Sequence, residues 1–337
     1  MKRWRRPRLV ALRLAALAVA GGAAMCGGEP AAPADGGTGG PPPADRTTPF
    51  PLTDLGRGTY RGFPGGLYPD GRNEPPADHA AEGLRRAARV RPLDAAGRPD
   101  PAGKIVLLSI GMSNTSQEFC AAAGYTTCTS WSFMGQAAAD PEASRSTLVI
   151  LNGARGGQVT DTWDSPEDAN YERIRREGLE PLGLSEAQVQ VVWMKVANAR
   201  PTASLPGPEA DAYRLVEGMG RVARALRSRY PNLQQVFVSS RIYAGFATTA
   251  LNPEPFAFES GLAVKWLIES QIAQDRGLAA PTPRAGDVRS GAAAPWLAWG
   301  PYLWAGDAAQ PPRTACSGPA RISRPTGRTL RGRARRR

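Results

Sequence analysis

The chain has 337 residues, of which 42% are hydrophobic and 7% aromatic, and its length allows one sizeable core with tails. Its formal net charge of +12 would be typical of a nucleic-acid-binding protein. However, residues 1–13 and 313–337 together hold fifteen basic groups and no acidic one, so the rest of the chain carries a net charge of −3. The charge pattern therefore argues against a nucleic-acid partner.

The N-terminus has the pattern of an export signal. Basic residues in MKRWRRPRLVALR precede the apolar run LAALAVAGGAA, which is too short to span a bilayer as a mature helix. We expect residues 1–26 to be a signal peptide of the lipoprotein or the ordinary secretory type. In the first case Cys26 is acylated and anchors the protein to the cell envelope, and in the second the chain is cleaved after Ala34. Either way we expect a periplasmic or extracellular protein.

Export bears on the four cysteines. In an oxidising compartment Cys120 and Cys128 can close a small disulfide loop, and two buried thiols are the alternative. Cys316 is left over. The cysteines lack paired-ligand spacing and the chain has a single histidine, His79, so we expect no metal site and no cofactor.

Composition divides the chain into segments. Residues 27–58 are rich in Pro, Gly and Ala, and we predict a linker because such a stretch buries too little apolar surface to become ordered. Aromatic residues return in YRGFPGGLYPDGRN, so we predict one folded domain over residues 59–305 that includes an N-terminal packed segment. Residues 306–337 form an arginine-rich tail.

Strands and helices alternate within the predicted domain. Four short runs rich in Val, Ile and Leu predict strands at 104–111, 147–153, 189–197 and 234–243. Helices are predicted for HAAEGLRRAARV, for PEADAYRLVEGMGRVARALRSRY and for FAFESGLAVKWLIESQIAQ. Their predicted inward residues are Leu215, Met219, Val222 and Leu226 in the second and Leu262, Trp266 and Ile272 in the third. This alternation predicts an α/β fold with a mainly parallel sheet covered on both faces.

In such a sheet, ligands bind at the carboxyl ends of the strands. Three loops there carry small or polar residues: IGMSN with Ser113, GARGG with Gly156 and Gly157, and KVAN with Asn198. A serine hydroxyl beside free backbone N–H groups suits attack on a carbonyl, because the same groups stabilise the oxyanion. Singly, Ser and Asn after a strand are common helix caps and turn residues. Three such loops in succession favour the functional interpretation.

The sequence IGMSN resembles the first block of SGNH (GDSL-type) hydrolases, in a form similar to that of their carbohydrate acetylesterase branch. The glycine after the second strand and the asparagine after the third follow in the same order. Longer stretches, such as SSRIYAG and WLAWGPYLW, resemble a group of exported bacterial proteins with this block order, over roughly residues 59–305.

The resemblance implies a fold and a mechanism. The fold would be a three-layer α/β/α sandwich of flavodoxin-like type. The reaction would be ester hydrolysis through an acyl-enzyme, with Ser113 as nucleophile. Its own N–H, the N–H of Gly156 or Gly157, and the Asn198 amide would form the oxyanion hole.

The general base of that family is missing from this chain. The family takes its acid and base from a late Asp-Xaa-Xaa-His block, and no histidine follows His79, which we expect to be structural. Glu254 and Glu259 are alternative polar candidates, and we expect them to be a solvated loop residue and a helix-start carboxylate. Without a base a serine is a weak nucleophile, so the chain is predicted to be inactive or impaired.

The arginine-rich tail offers an explanation. The tail can be translated in another reading frame by joining, from Arg313 onward, the third base of each codon to the first two bases of the next. In that frame the genetic code permits the sequence D-G-L-(F/L)-W-x-C-x-D-(L/F)-x-x-D-G-x-H-P-S. This sequence contains an Asp-Xaa-Xaa-His block. We therefore hypothesise a single frameshift or sequencing error near residues 305–313. If the tail is genuine, a basic-tailed protein that binds anionic polymer is an alternative.

Two principal functions remain. The first is an exported SGNH-type ester hydrolase that acts on acylated carbohydrate. The second is a non-catalytic envelope protein that binds glycans or cell-wall material through the same cleft. The sequence leaves the substrate, the acyl group and the oligomeric state open.

Overall fold

A five-stranded, fully parallel sheet lies at the centre of the computed structural model, which describes residues 45–121 and 128–304. The strands are β1 (Asp45–Arg46), β2 (Thr59–Tyr60), β3 (Phe63–Pro64), β4 (Ile105–Gly111), β5 (Leu148–Asn152), β6 (Val189–Lys195), β7 (Gln235–Val238) and β8 (Trp296–Trp299). The central sheet has the order β5-β4-β6-β7-β8, and β1, β2 and β3 form a small separate sheet.

Seven α-helices accompany the strands within the described residues. They are α1 (Leu52–Leu55), α2 (Ala77–Ala87), α3 (Ser113–Phe119), α4 (Phe133–Ala139), α5 (Ala169–Arg173), α6 (Asp211–Arg229) and α7 (Phe256–Asp275). A π-helical turn, Ile174–Leu179, continues α5. None of the described helices is both long and apolar enough to cross a membrane.

The layers follow from the alternation of side chains along each strand. On β4, Val106, Leu108 and Ile110 point to one face of the sheet and belong to the same buried cluster as the inner residues of α6 and α7. On the other face Trp193 packs with residues of α3 and α4. The predicted α/β fold, with a parallel sheet covered on both faces, is therefore confirmed, whereas the predicted terminal tails lie outside the described residues, apart from the last part of the linker.

The helical periodicity of α6 was a reliable guide. Its four predicted inward residues, Leu215, Met219, Val222 and Leu226, are each at most 1% exposed. By contrast, the sequence reading missed β8, because the four-residue strand WLAW is short and shares its aromatic composition with the segment that follows. The residues Trp296 to Trp299 pair in parallel with Gln235 to Val238 and complete the sheet.

The linker prediction is wrong for residues 45–58. Helix α1 lies in this stretch and buries Leu52 completely and Leu55 almost completely. The Leu52 N–H donates to the hydroxyl of Tyr302 at 3.0 Å. Composition suggested a free chain, but two leucines and the aromatic residues that follow supply enough apolar surface to hold this segment against α7. Helix α7 is consequently buried on nearly all sides rather than along one stripe.

Candidate active site

The candidate nucleophile stands at the junction of β4 and α3. The strand ends at Gly111, whose φ of 141° is one that side chains rarely allow, and a methyl group there would lie 2.0 Å from the carbonyl oxygen of Lys195. The Thr115 hydroxyl donates to the same carbonyl at 2.6 Å. Because Gly111 passes so close to the Lys195 carbonyl, the chain turns there and α3 begins at Ser113. The Ser113 side chain is half-buried.

The loop after β5 lies against Ser113. The N–H of Arg155 donates to the carbonyl of Gly111 at 3.1 Å, which ties this loop to the end of β4. A methyl group placed on Gly156 would lie 3.8 Å from the Cβ of Ser113, so the Gly156 backbone faces the serine. Gly157 has a φ of 79° and open space beside its α-carbon. The structure therefore turns the Gly156 backbone toward Ser113 and leaves open space beside Gly157.

Three backbone N–H groups in these two loops are without a hydrogen-bond partner within the described residues. In the part of the chain that the structure describes, no hydrogen bond engages the N–H of Ser113, Gly156 or Gly157. Free N–H groups beside a serine hydroxyl are what an oxyanion requires. This arrangement can hold a negatively charged oxygen next to Ser113.

Asn198 follows β6, which flanks β4 on the side opposite β5 in the sheet. Its side-chain N–H donates to Asp211 at 3.0 Å, and its backbone carbonyl accepts from the side-chain amide of Asn252 at 3.1 Å. Asp211 is 3% exposed, and burial raises its pKa while the bonds from Asn198 and Arg214 oppose that rise. Asp211 thus fixes the Asn198 amide, a role that the sequence reading missed.

A buried ion pair supports α3 from beneath. The Lys195 ammonium, fully buried at the end of β6, donates to both carboxylate oxygens of Glu118 at 2.7 and 2.6 Å. Burial lowers the pKa of Lys195, and the Glu118 carboxylate opposes that shift. Because Glu118 is on α3, the pair fastens the helix that begins with Ser113 to the neighbouring strand.

Arg241 follows β7 and reaches the same helix. Its guanidinium donates to the side-chain oxygen of Asn114, the residue after Ser113. Its backbone N–H donates to the Ser260 hydroxyl on α7 at 3.0 Å. Burial lowers the pKa of Arg241, although Glu118 and Glu254 favour its charged form. Arg241 was not identified as a candidate from the sequence.

The expectation for Glu254 was wrong, whereas the expectation that Glu259 is a helix-start carboxylate is confirmed. Glu254 is not a solvated loop residue, since its carboxylate accepts from the N–H groups of Ala244 at 2.8 Å and Phe258 at 2.9 Å and from the Trp304 indole at 2.8 Å. Glu259 is in the first turn of α7 but only 1% exposed. Both carboxylates hold structure together and neither is placed to activate Ser113.

The Glu259 carboxyl has a distinct environment. It accepts from the Tyr60 hydroxyl and from the Leu205 N–H, each at 3.1 Å, and Arg61 lies 4.0 Å away. Burial raises its pKa to about 7, against these hydrogen bonds and Arg61. The Glu259 carboxyl therefore joins the loop between Asn198 and α6, through Leu205, to the N-terminal segment, through Tyr60.

His79 has a structural role. It is 4% exposed on α2, its Nε2–H donates to the carbonyl of Leu297 at 2.8 Å, and its ring stacks on Trp296 with centroids 5.0 Å apart. Burial lowers its pKa. Its contacts are with the β8 edge and not with the loops around Ser113.

The other predicted positions divide by location. Cys120 and Cys128 form a disulfide directly after α3, which decides between the two alternatives left open by the sequence. Cys26, Ala34 and Cys316 lie outside the described residues. Within residues 45–121 and 128–304, no group of three or more His, Cys, Asp or Glu side chains is arranged to hold a metal ion.

No protein-family model and no curated protein matches the chain. Among solved structures it is similar to a mutant of Axe2, an acetyl-xylooligosaccharide esterase from a Geobacillus species, with 12% identity, 52% of this chain and 75% of that chain covered, and a TM-score of 0.29. It is also similar to a GDSL-like lipase from Parabacteroides merdae, with 14% identity, 52% of this chain and 73% of that chain covered, and a TM-score of 0.29. A third similar structure is an extracellular lipase from Streptomyces rimosus, with 16% identity, 59% of this chain and 93% of that chain covered, and a TM-score of 0.28.

Proposed function

We propose that this protein is an exported serine ester hydrolase of the SGNH type, with acylated carbohydrate as its substrate class. The observation that carries the proposal is that the Gly156 backbone faces Ser113, together with the unengaged N–H groups of both residues. Export, through cleavage after Ala34 or acylation of Cys26, rests on the N-terminal sequence alone.

The chemistry follows from these groups. The Ser113 oxygen attacks the ester carbonyl and its proton passes to a base. The carbonyl oxygen becomes an oxyanion that accepts from the N–H groups of Ser113 and Gly156 and from Asn198, which Asp211 orients. When the tetrahedral intermediate collapses, the alcohol leaves with a proton and the acyl group stays on Ser113. Water then attacks the acyl-enzyme, releases the carboxylic acid and restores the serine hydroxyl.

No described residue is placed to act as the general base for Ser113. The single histidine is committed to Leu297 on β8, and Lys195 and Glu118 bind each other. We therefore propose that the chain as written is impaired, and that a frameshift near residues 305–313 removed an Asp-Xaa-Xaa-His block. Loss of a catalytic base lowers the rate on the order of 10⁴-fold or more.

Two experiments test this function. Resequencing the gene around codons 300–340 decides whether the restored frame encodes Asp-Xaa-Xaa-His, and its absence would end the frameshift idea. A fluorophosphonate probe, which phosphonylates activated serines, should label the frame-restored protein quickly and the present chain slowly. Ser113→Ala should abolish the labelling. The matched control is Ser116→Ala on the same helix, whose hydroxyl accepts from Asn152, and it should keep the labelling.

A second function is favoured by the position of His79. A site with oxyanion donors and no base can bind a ligand without hydrolysing it. The protein would then bind glycans or cell-wall material without turnover. Polysaccharide binding with no ester hydrolysis after frame repair would favour this alternative.

A further inference from the structure

A shallow cavity that is open to solvent lies on the opposite side of the sheet from α3. It has a volume of about 450 Å³ and is lined by Glu217, Arg221, Arg224, Pro283 and Arg284. Its walls are α6 and the 3-10 turn Pro283–Ala285. Three guanidinium groups and one carboxylate therefore face a single space.

The nearby carboxylates are engaged by other arginines. Arg221 binds Asp164 at 2.7 Å and Glu217 at 3.0 Å. The Asp287 carboxylate binds Arg289 at 2.6 Å. Within the described residues, no carboxylate oxygen lies within 4.0 Å of the charged nitrogens of Arg224 or Arg284. These two cations are thus left without a salt-bridge partner, although Asp287 still favours the charged form of Arg224.

The Arg224 guanidinium is held by two hydrogen bonds and has further N–H groups without a partner in the described part of the chain. Its Nη1 donates to the carbonyls of Ala285 at 2.9 Å and Asp287 at 3.2 Å. No hydrogen bond engages its Nε or Nη2 in the described part of the chain. Burial and the like charge of Arg221 lower its pKa, which means that its charge lacks full compensation. An anion placed in the cavity would supply that compensation.

Arg284 is held by stacking. Its guanidinium lies over the ring of Tyr213, 5.1 Å from the centroid, and Tyr213 stacks in turn on Trp266 with centroids 5.4 Å apart. Such a stack fixes the plane of the guanidinium without using its N–H groups. Those N–H groups remain available to a ligand.

Two glycines make the arrangement specific to this backbone. A methyl group on Gly220 of α6 would lie 2.1 Å from the carbonyl oxygen of Ala285, and one on Gly286 would lie 2.8 Å from Nη1 of Arg224. The turn that carries Arg284 therefore approaches the helix that carries Arg224 as closely as backbone allows. The close approach of turn and helix brings the half-buried Arg224 and the exposed Arg284 to the same cavity.

We propose that this cavity binds the phosphate or sulfate group of a small anionic ligand, with Arg224 and Arg284 as its two principal donors. Planar guanidinium groups match tetrahedral oxyanions through paired hydrogen bonds. Because the cavity is open to solvent, the rest of such a ligand can extend out of it beside the anion. This site is separate from the Ser113 site and does not depend on the proposed hydrolase activity.

Calorimetric titration of the full-length chain tests the proposal, with inorganic phosphate, inorganic sulfate and glucose 6-phosphate as probes. We expect one saturable site that Arg284→Ala and Arg224→Gln each weaken at least tenfold. Glu217→Gln removes the carboxylate that lines the cavity and should tighten binding. Tighter binding of glucose 6-phosphate than of inorganic phosphate would identify a phosphate ester as the ligand, and equal binding would identify the free anion.

The control is Arg85→Ala, which removes an exposed arginine of α2 that is paired with Glu82. It should leave the affinity unchanged. The nine arginines after residue 312 are present in every variant, so anion binding to the tail cancels in the comparison. Unchanged phosphate affinity in a folded Arg224→Gln/Arg284→Ala double variant, checked by its thermal melting curve, would overturn the proposal.

Discussion

The two faces of the central sheet differ in what covers them. Toward α6 and α7 the strands present fully buried aliphatic side chains, namely Val106, Leu108, Ile110, Val192, Met194, Val236, Val238 and Leu297. Toward α2, α3 and α4 the central strands present half-buried Leu107 and Phe237 together with buried Ser109 and Lys195. The first face supplies most of the apolar core. The second carries the helix of Ser113 and the ion pair beneath it.

This difference shows how one sheet separates stability from chemistry. Apolar burial on the α6 and α7 face stabilises the fold without demanding a particular geometry from any polar group. The α3 face accepts buried charge, which is costly unless each group is paired. In return it holds Ser113, Asn114 and Glu118 in fixed positions at the carboxyl edge of the sheet.

The largest expected effect comes from the buried ion pair. Lys195→Met leaves the Glu118 carboxylate, on a side chain 10% exposed, without its partner. We expect the free energy of unfolding in urea to fall by about 3–5 kcal/mol. The double variant Lys195→Met/Glu118→Met should recover part of this loss. A fall of less than about 1 kcal/mol in the single variant would mean that the pair does not hold α3.

Neighbouring leucines on β4 compare the faces directly. Leu108 is fully buried against the α6 and α7 layer, whereas Leu107 is half-buried on the α3 face. Leu108→Ala should lower the free energy of unfolding by about 3–4 kcal/mol and Leu107→Ala by about 1–2 kcal/mol, because the cavity left at Leu108 is enclosed. Equal losses in the same urea titration would contradict the difference between the faces.

Glu259 is a polar exception on the α7 side, and its effect depends on pH. Its pKa is raised from 4.5 to about 7 in the folded state, so between these values the folded chain holds a proton that the unfolded chain has released. Its contribution is fully present below pH 4.5 and declines as the pH rises to 7, by about 3 kcal/mol. The stability difference between the natural chain and Glu259→Gln should decline over the same range. A difference that is constant with pH would contradict this assignment.

The smallest expected effect is at an exposed pair. Arg85 binds Glu82 at 2.8 Å with its side chain 63% exposed. Arg85→Ala should change the free energy of unfolding by no more than about 0.5 kcal/mol, because solvent screens the charges. A loss as large as that of Lys195→Met would show that burial does not explain the difference between the two ion pairs.

The sequence predicted those parts that depend on local pattern. Periodic apolar residues predicted β4 to β7 and the inner face of α6, and the order of the loops at the carboxyl edge predicted that Ser113, Gly156 and Asn198 belong to neighbouring strands. That the Gly156 backbone faces Ser113 became apparent only in three dimensions. The roles proposed for Ser113, Gly156 and Asn198 in catalysis stay a prediction.

What the sequence did not predict depends on contacts between distant residues. Lys195 and Glu118 are 77 positions apart, and Asp211 looked like an ordinary acidic residue at a helix start. Glu259 meets Tyr60 across 199 positions, so nothing local indicated its burial. The linker was predicted to extend to residue 58 because the Pro and Gly content of the segment outweighed its two leucines, which lie in α1.

The central claim is that the loops after β4, β5 and β6 stabilise an oxyanion beside Ser113. The most direct measurement is the rate at which a fluorophosphonate modifies the frame-restored protein, with the site of the adduct read by mass spectrometry, for the parent and for Asn198→Ala. We predict an adduct on Ser113 and a rate that falls about 10²–10³-fold in Asn198→Ala, with Asn232→Ala as the unaffected control. An adduct on another residue, or an unchanged rate in Asn198→Ala, would contradict the account.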